Sequence, residues 1–180
     1  MQTSLFLKSD TLKAHQATEK LVIKHIKEID TDKKYGEFLK KFYVFHTTVE
    51  EATAEYLNAF KPHYQFEESS IDIKADLDFL GFPTPRQMEF NFPSIDNYAD
   101  ALIAQYVLMG SSLGRPYIAK MLQDRGIEGP FNFLKSNTEE SSDRWTKFKE
   151  LLDEELGEKD KEHLKNKANE VFNAMANLFA

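Results

Sequence analysis

Residues 106–116 read Tyr-Val-Leu-Met-Gly-Ser-Ser-Leu-Gly-Arg-Pro. They lie within a stretch, about 95–125, whose apolar residues recur every three to four positions, the period of a helix. Gly110 and Gly114 are four apart, so on a helix they expose adjacent bare backbone on one face. Each costs about 1 kcal/mol relative to alanine in a helix interior. Pro116 adds a kink, because its ring collides with the carbonyl four residues earlier, at Ser112. Something must offset these penalties. Another helix passing close over the glycines would do so, as would a flat ligand laid against the bare backbone. Two helices joined by a loop at 110–115 also fit.

Working outward, breakers fall at Asp30–Asp32, Pro62, Gly81–Pro85, Pro93, Gly126–Pro130 and Gly157. Between them the three-to-four period persists and no alternating, strand-like pattern occurs. The spacing predicts helix over 3–29 with room for one break, a long helix over 33–60 and a short one over 70–80. The 95–125 helix follows, and two more cover about 138–156 and 158–179, joined at Gly157. There is no internal repeat and no low-complexity linker. The class is all-α, one domain over 1–180, packed around a single core.

The 180-residue length suits one domain with a sizeable interior. Fifteen Phe and seven Tyr favour a large packed core with room for an aromatic ligand. A formal net charge of −7 gives nucleic-acid binding no electrostatic support. No run of 18 apolar residues is present, so no membrane span is expected, and the N-terminal residues do not read as a signal peptide. The chain has no cysteine. Disulfides, thiolate metal sites and a Cys nucleophile are thereby excluded, and a reducing cytoplasmic setting fits.

In the first helix Leu12, His15, Glu19, Val22, Ile26 and Ile29 step by three or four and so share a face, which should bury His15. Thr11 stands one turn before it. A neutral imidazole is a good iron ligand, and better when its second ring nitrogen donates to a carboxylate, a role Glu19 at i+4 suits. The same residues also read as a core histidine and a surface glutamate paired with Lys20 or Lys24.

Taken together, these segments resemble the haem oxygenase family, in its bacterial, biliverdin-producing branch. LKSDTLKAHQATE (7–19) resembles the proximal segment, with Thr, His and Glu in register, and YVLMGSSLG (106–114) the distal-helix signature. FYVFHTTVEE (42–51) is similar to the second helix, KADLDFL (74–80) to the short middle helix, TKFKEL (146–151) to the helix near the C-terminal end, and VFNAMANLF (171–179) to the closing helix. The resemblance implies haem as substrate and cofactor, with His15 as axial iron ligand, Glu19 as its orienting partner and Thr11 in the same segment. It implies that Gly110 and Gly114 press on the distal face and tilt dioxygen toward a ring-edge carbon. Ser111 would stand where part of the family places an acid that organises distal water, and Lys8 and Lys149 would lie near the propionates. The implied reaction uses dioxygen and electrons to open haem to biliverdin, carbon monoxide and ferrous iron.

Four positions depart from the pattern. Arg115 follows Gly114 where many relatives have a second small residue, and Pro116 comes next. Asp153 stands where some relatives carry a propionate-binding arginine. His46 stands in place of a tyrosine near the distal pocket; it reads either as a second iron ligand, which would block dioxygen, or as a core residue beside Phe42 and Val49. Arg115 could take over a propionate or lie in solvent. These departures motivate an alternative reading, a haem carrier, buffer or sensor without turnover.

Other classes fit less well. A thiamin-cleaving relative of the fold would be expected to use a cysteine. A di-iron bundle needs two Glu-x-x-His pairs, and none of the five histidines has Glu three residues before it. His25, His63 and His163 read as surface or structural residues, Trp145 as core, and Phe172 and Phe179 as core or pocket lining. No phosphate-cradling glycine loop or dinucleotide fingerprint occurs, so no flavin or nicotinamide site is expected. Electrons would come from a separate ferredoxin, flavodoxin or flavin reductase, docking at Lys8, Lys13, Lys20, Lys147 and Lys149 if these cluster.

Overall fold

The computed structural model describes residues 2–60, 64–85, 90–135 and 138–180; the breaker Pro62 and His63 lie outside them. Among the described residues there are eight α-helices and no strand: α1 (Thr3–Asp10), α2 (Leu12–Glu28), α3 (Asp32–Leu57), α4 (Ser69–Phe79), α5 (Tyr98–Gly110), α6 (Arg115–Asp124), α7 (Thr138–Leu156) and α8 (Lys161–Phe179). A single 3-10 turn, Ser111–Gly114, joins α5 to α6. The all-α class holds. No helix among the described residues is long and apolar enough to cross a membrane.

Local chemistry explains several boundaries. Thr31, Asn97 and Asp160 cap α3, α5 and α8, their side-chain oxygens accepting the otherwise unpaired first-turn N–H groups of Lys34, of Ala99 and Asp100, and of Glu162. The helix expected over 3–29 is broken at Thr11, whose hydroxyl donates to the Leu7 carbonyl at 2.7 Å.

Helix α5 is buried on every side from Ala99 to Met109, as expected of a helix through the middle of a bundle. It packs between α3 and α8, with α2 on the outside of α8 and α4 on α3. Buried Asp76 on α4 fastens the 131–135 loop: its carboxylate accepts from the N–H groups of Asn132 and Phe133, both at 3.0 Å, and from Asn132 Nδ2 at 2.7 Å. At Gly36 the Phe82 ring passes so close that a Cβ would stand 2.6 Å from it.

Asp153 has an explanation in this frame. Its carboxylate accepts from the backbone N–H of Ser4 at 2.7 Å and from its hydroxyl at 2.9 Å, binding the start of α1 to α7. A negative charge there satisfies a free donor of the first turn and complements the helix dipole.

Candidate functional site

The glycine-bearing run is neither one regular α-helix nor two helices with a loop between them. The chain tightens to 3-10 pitch over 111–114, and the N–H of Arg115 bonds to the Ser112 carbonyl. Pro116 then falls in the first turn of α6, where a missing N–H costs little. The hydroxyls of Ser111 and Ser112 donate to the carbonyls of Leu108 and Met109, both at 2.7 Å, closing the last turn of α5.

The two glycines meet different surroundings. A Cβ on Gly110 would stand 3.6 Å from the Trp145 ring of α7, whereas one on Gly114 would have nothing within 4 Å. Trp145, half-buried, also lies against Tyr106, ring centroids 5.5 Å apart. Beside Gly114, Leu113 and Tyr117 leave 44% and 67% of their surface exposed.

On α2 the expected face is split. Val22, Ile26 and Ile29 are buried, but Leu12, His15 and Glu19 are exposed. The buried stripe passes through Thr18, whose hydroxyl donates to the Phe172 carbonyl of α8 at 3.1 Å, and His15 is left at its edge. The expectation that His15 is buried is thereby corrected. The imidazole leans on Phe172, ring centroids 5.6 Å apart, and makes no hydrogen bond or ion pair among the described residues. Glu19, also exposed, forms no bond to it. Thr11 and Tyr106, one turn before His15 and Gly110 respectively, have their hydroxyls against each other. Burial pushes the Tyr106 phenol up, with Thr11 pulling the other way. The segment bearing Thr11 and His15 therefore meets the glycine-bearing one, and α2 also touches α6.

Lys8 on α1 is exposed and Lys149 on α7 half-buried, on helices that pack together, and neither has an ion-pair partner among the described residues. Arg115 is committed elsewhere. Its side chain is 4% exposed, Nη1 lies 2.6 Å from Glu67 Oε1, and the guanidinium sits 4.4 Å over the Phe133 ring. It is buried, not solvated.

His46 lies behind the same turn. It is fully buried among Phe42, Phe45 and Phe133, and burial, aided by the charge of Arg115, holds its pKa well below the ordinary value. It is the core histidine of the second reading. His25 bonds the Leu21 carbonyl and Lys41, and His163 bonds Asp100, both structural contacts. Phe172 is buried and touches His15, and Phe179 is core. Among the described residues no three His, Asp or Glu side chains group as a metal site.

Sequence reasoning missed Glu67, which sits 48 residues from Arg115 in the chain with nothing in the local pattern linking the two. It also missed the packing of Trp145 on Gly110.

The whole chain superposes on solved haem oxygenases. A haem oxygenase from Neisseria meningitidis, described in its NO- and CO-bound forms, superposes with a TM-score of 0.83 at 22% identity, over 99% of this chain and 90% of that one. Haem oxygenase from Leptospira interrogans gives 0.75 at 18%, over 99% and 98%. Haem oxygenase-1 from the cyanobacterium Synechocystis sp. PCC6803, in complex with haem, gives 0.72 at 15%, over 99% and 91%. The chain has the haem oxygenase fold. No protein-family model matches it, and no curated protein matches it in sequence.

Proposed function

We propose that the chain, acting as one domain, binds a single haem through His15 and opens it to biliverdin, carbon monoxide and ferrous iron. Electrons come from a separate ferredoxin, flavodoxin or flavin reductase, in a cytoplasmic setting. The observation that supports this reading is an exposed imidazole, unpartnered among the described residues, in the segment that resembles the proximal one, on a chain with the haem oxygenase fold.

The residues fit a flat ring bearing a metal. His15 has its ring nitrogens free to ligate, and Phe172 braces the imidazole from one side. Gly114 offers bare backbone with open space where a side chain would be. Leu12, Leu113 and Tyr117 are apolar groups left exposed on the two segments. When bound, haem supplies both the iron at which dioxygen is reduced and the ring carbon that is oxidised.

The chain's own part is to hold, orient and exclude. Ser111 gives its proton to the Leu108 carbonyl, so its oxygen can only accept, and no strong acid is added on the distal side. Tyr106 and Trp145 pack together, and Trp145 lies over Gly110. Lys8 and Lys149 are unpaired cations available to carboxylate side chains of the ring. Glu19 orients His15 only if binding draws the two together.

A titration with hemin in wild type and His15→Ala tests the reading. The expected result is a one-to-one complex in the wild type whose iron–imidazole band character is missing in the variant; identical spectra would overturn it. Reductant and dioxygen then separate turnover from binding. Biliverdin supports cleavage, and an unchanged main absorption band supports the carrier or sensor reading.

A further inference from the structure

The turn at 111–114 is weakly specified by its own sequence. The 3-10 hydrogen-bond geometry is poorer than that of the α-helix, two glycines lower the helical preference of the segment, and Pro116 lacks a donor. The upstream end is fixed by the back-bonding of Ser111 and Ser112 and by Trp145 against Gly110. At the downstream end the first side chain is Arg115, and it is buried in the interior behind the turn.

What it meets there is itself held. Glu67, between α3 and α4, accepts from Arg115 Nη1 at 2.6 Å and from the Ser69 hydroxyl at 2.7 Å, and Arg144 of α7 stands 3.7 Å away. Beneath the guanidinium, Phe133 is fastened through its N–H to Asp76. Burial pushes the Glu67 carboxyl up, but the charges of Arg115 and Arg144 and the bonds from Ser69 and Arg115 outweigh it, leaving the pKa below its ordinary value. The carboxylate thus joins α6, α7 and the lead-in to α4 directly behind the bare glycine backbone.

We propose that Arg115 is a positioning residue: its ion pair with Glu67 sets the pitch break at 111–114 and so fixes where the backbone of Gly114 stands. The inference rests on the haem reading for its consequence, since that backbone is the wall a ring on His15 would meet. The departure from a small residue at 115 then exchanges local flexibility for a tether.

Amide hydrogen exchange on the protein without haem tests the tether independently of haem binding. Glu67→Gln keeps the shape of the side chain and removes its charge. Exchange across 111–117 should rise at least about tenfold, the factor expected for losing one charge-assisted bond, while α2 and α8 stay as in wild type. Glu140→Gln, which removes the exposed partner of Arg144, should change nothing at 111–117. Should Glu67→Gln fail to fold, the pair Arg115→Met and Arg115→Lys takes its place, with lysine restoring most of the protection that methionine loses. In hemin-loaded, reduced protein under carbon monoxide, the C–O stretch should broaden or split in Glu67→Gln and not in Glu140→Gln. Unchanged exchange at 111–117, or a uniform rise over the whole chain, overturns the proposal. If hemin fails to bind at all, the functional reading falls while the exchange result still decides the tether.

Discussion

The two sides of the glycine turn are built on opposite terms. In front, Leu113, Gly114 and Tyr117, with His15 and Leu12 on α2, are exposed apolar groups, bare backbone and an unpartnered ring. Behind, Arg115, His46, Phe133 and Asp76 are buried, and an ion pair, a guanidinium over a ring, an edge-to-face ring contact and a carboxylate accepting three hydrogen bonds tie these segments together. The buried, paired groups lie behind the turn, and the exposed, unpartnered ones in front of it, where the proposed haem would bind. If that division is real, substitutions behind should cost folding free energy, and substitutions in front should cost little or even add to it.

The largest effect should come from Asp76→Ala. It leaves the N–H groups of Asn132 and Phe133 without their buried acceptor and removes the platform under Arg115. A loss of about 3 kcal/mol is expected, the upper range for hydrogen bonds to a charged group. Urea unfolding with an unchanged m-value would measure it. A loss below about 1 kcal/mol would mean that the back of the turn is not where the structure is held.

Acid unfolding sharpens the same contrast through two carboxylates on the back. Glu67, beside Arg115 and Arg144, is lowered. Its folded pKa lies below the unfolded value, so its contribution is complete above that unfolded pKa, near about 4.3, and is lost as pH falls through the folded one. Glu50 behaves oppositely. Burial raises it, hydrogen bonds from the hydroxyl and N–H of Ser70 only partly offset this, and Glu68 and Glu67 add to the rise. Its ionisation therefore opposes folding at neutral pH, and that cost disappears as pH falls through its raised pKa. The charged or titratable neighbours of the pair are His46 and Glu50 on α3, Glu68, Asp72 on α4, Arg115 on α6 and Arg144 on α7. Glu67→Gln should flatten the acid limb of the stability curve, and Glu50→Gln should raise stability at neutral pH. Identical pH curves for the two variants would contradict the assignment.

How far the sequence could be read follows the same division. The front is made of local signals. A histidine one turn after Thr11 and glycines four apart are visible in single segments, and helical period gives their faces. The period nevertheless misjudged the burial of His15, because hydropathy ranks Leu12 as core and Thr18 as neutral. The packed structure buries Thr18 through a hydrogen bond to α8 instead. The back is made of long-range pairings: Arg115 with Glu67, Asp76 with Phe133, Asp153 with Ser4. Each joins residues many turns apart, and a charged residue in a sequence reads as solvated until its partner is seen. Charge reversal at Asp153 looks like a lost ligand contact in sequence and is a helix-end clasp in three dimensions.

Gly114→Ala tests the front directly. A Cβ there meets nothing within 4 Å, and the residue lies at φ −86° and ψ −14°, which alanine adopts without strain. The substitution should stabilise the protein by about 0.5–1 kcal/mol, chiefly by restricting the unfolded chain. In the haem reading the added methyl stands where the ring would approach, so hemin affinity should fall while the melting temperature rises. Gly36→Ala, against the Phe82 ring, should destabilise. A fall in stability at Gly114 would mean that the turn needs its glycine for folding, and the contrast between the two faces would lose one of its supports.

The smallest expected change in folding is His15→Ala. The ring is exposed and among the described residues touches Phe172 alone of the aromatic groups and makes no hydrogen bond, so removing it deletes little buried surface. Stability should stay within about 0.5 kcal/mol of wild type, as for surface positions generally. A core histidine would behave differently, and His46 is the internal control: its fully buried ring packs against three phenylalanines, so His46→Ala should cost about 2 kcal/mol or more through the cavity it leaves. Equal losses at the two positions would make His15 one more packing residue. Loss at His46 with none at His15 would leave an imidazole that contributes nothing to folding, which is the behaviour of a side chain kept to bind something the fold itself does not supply.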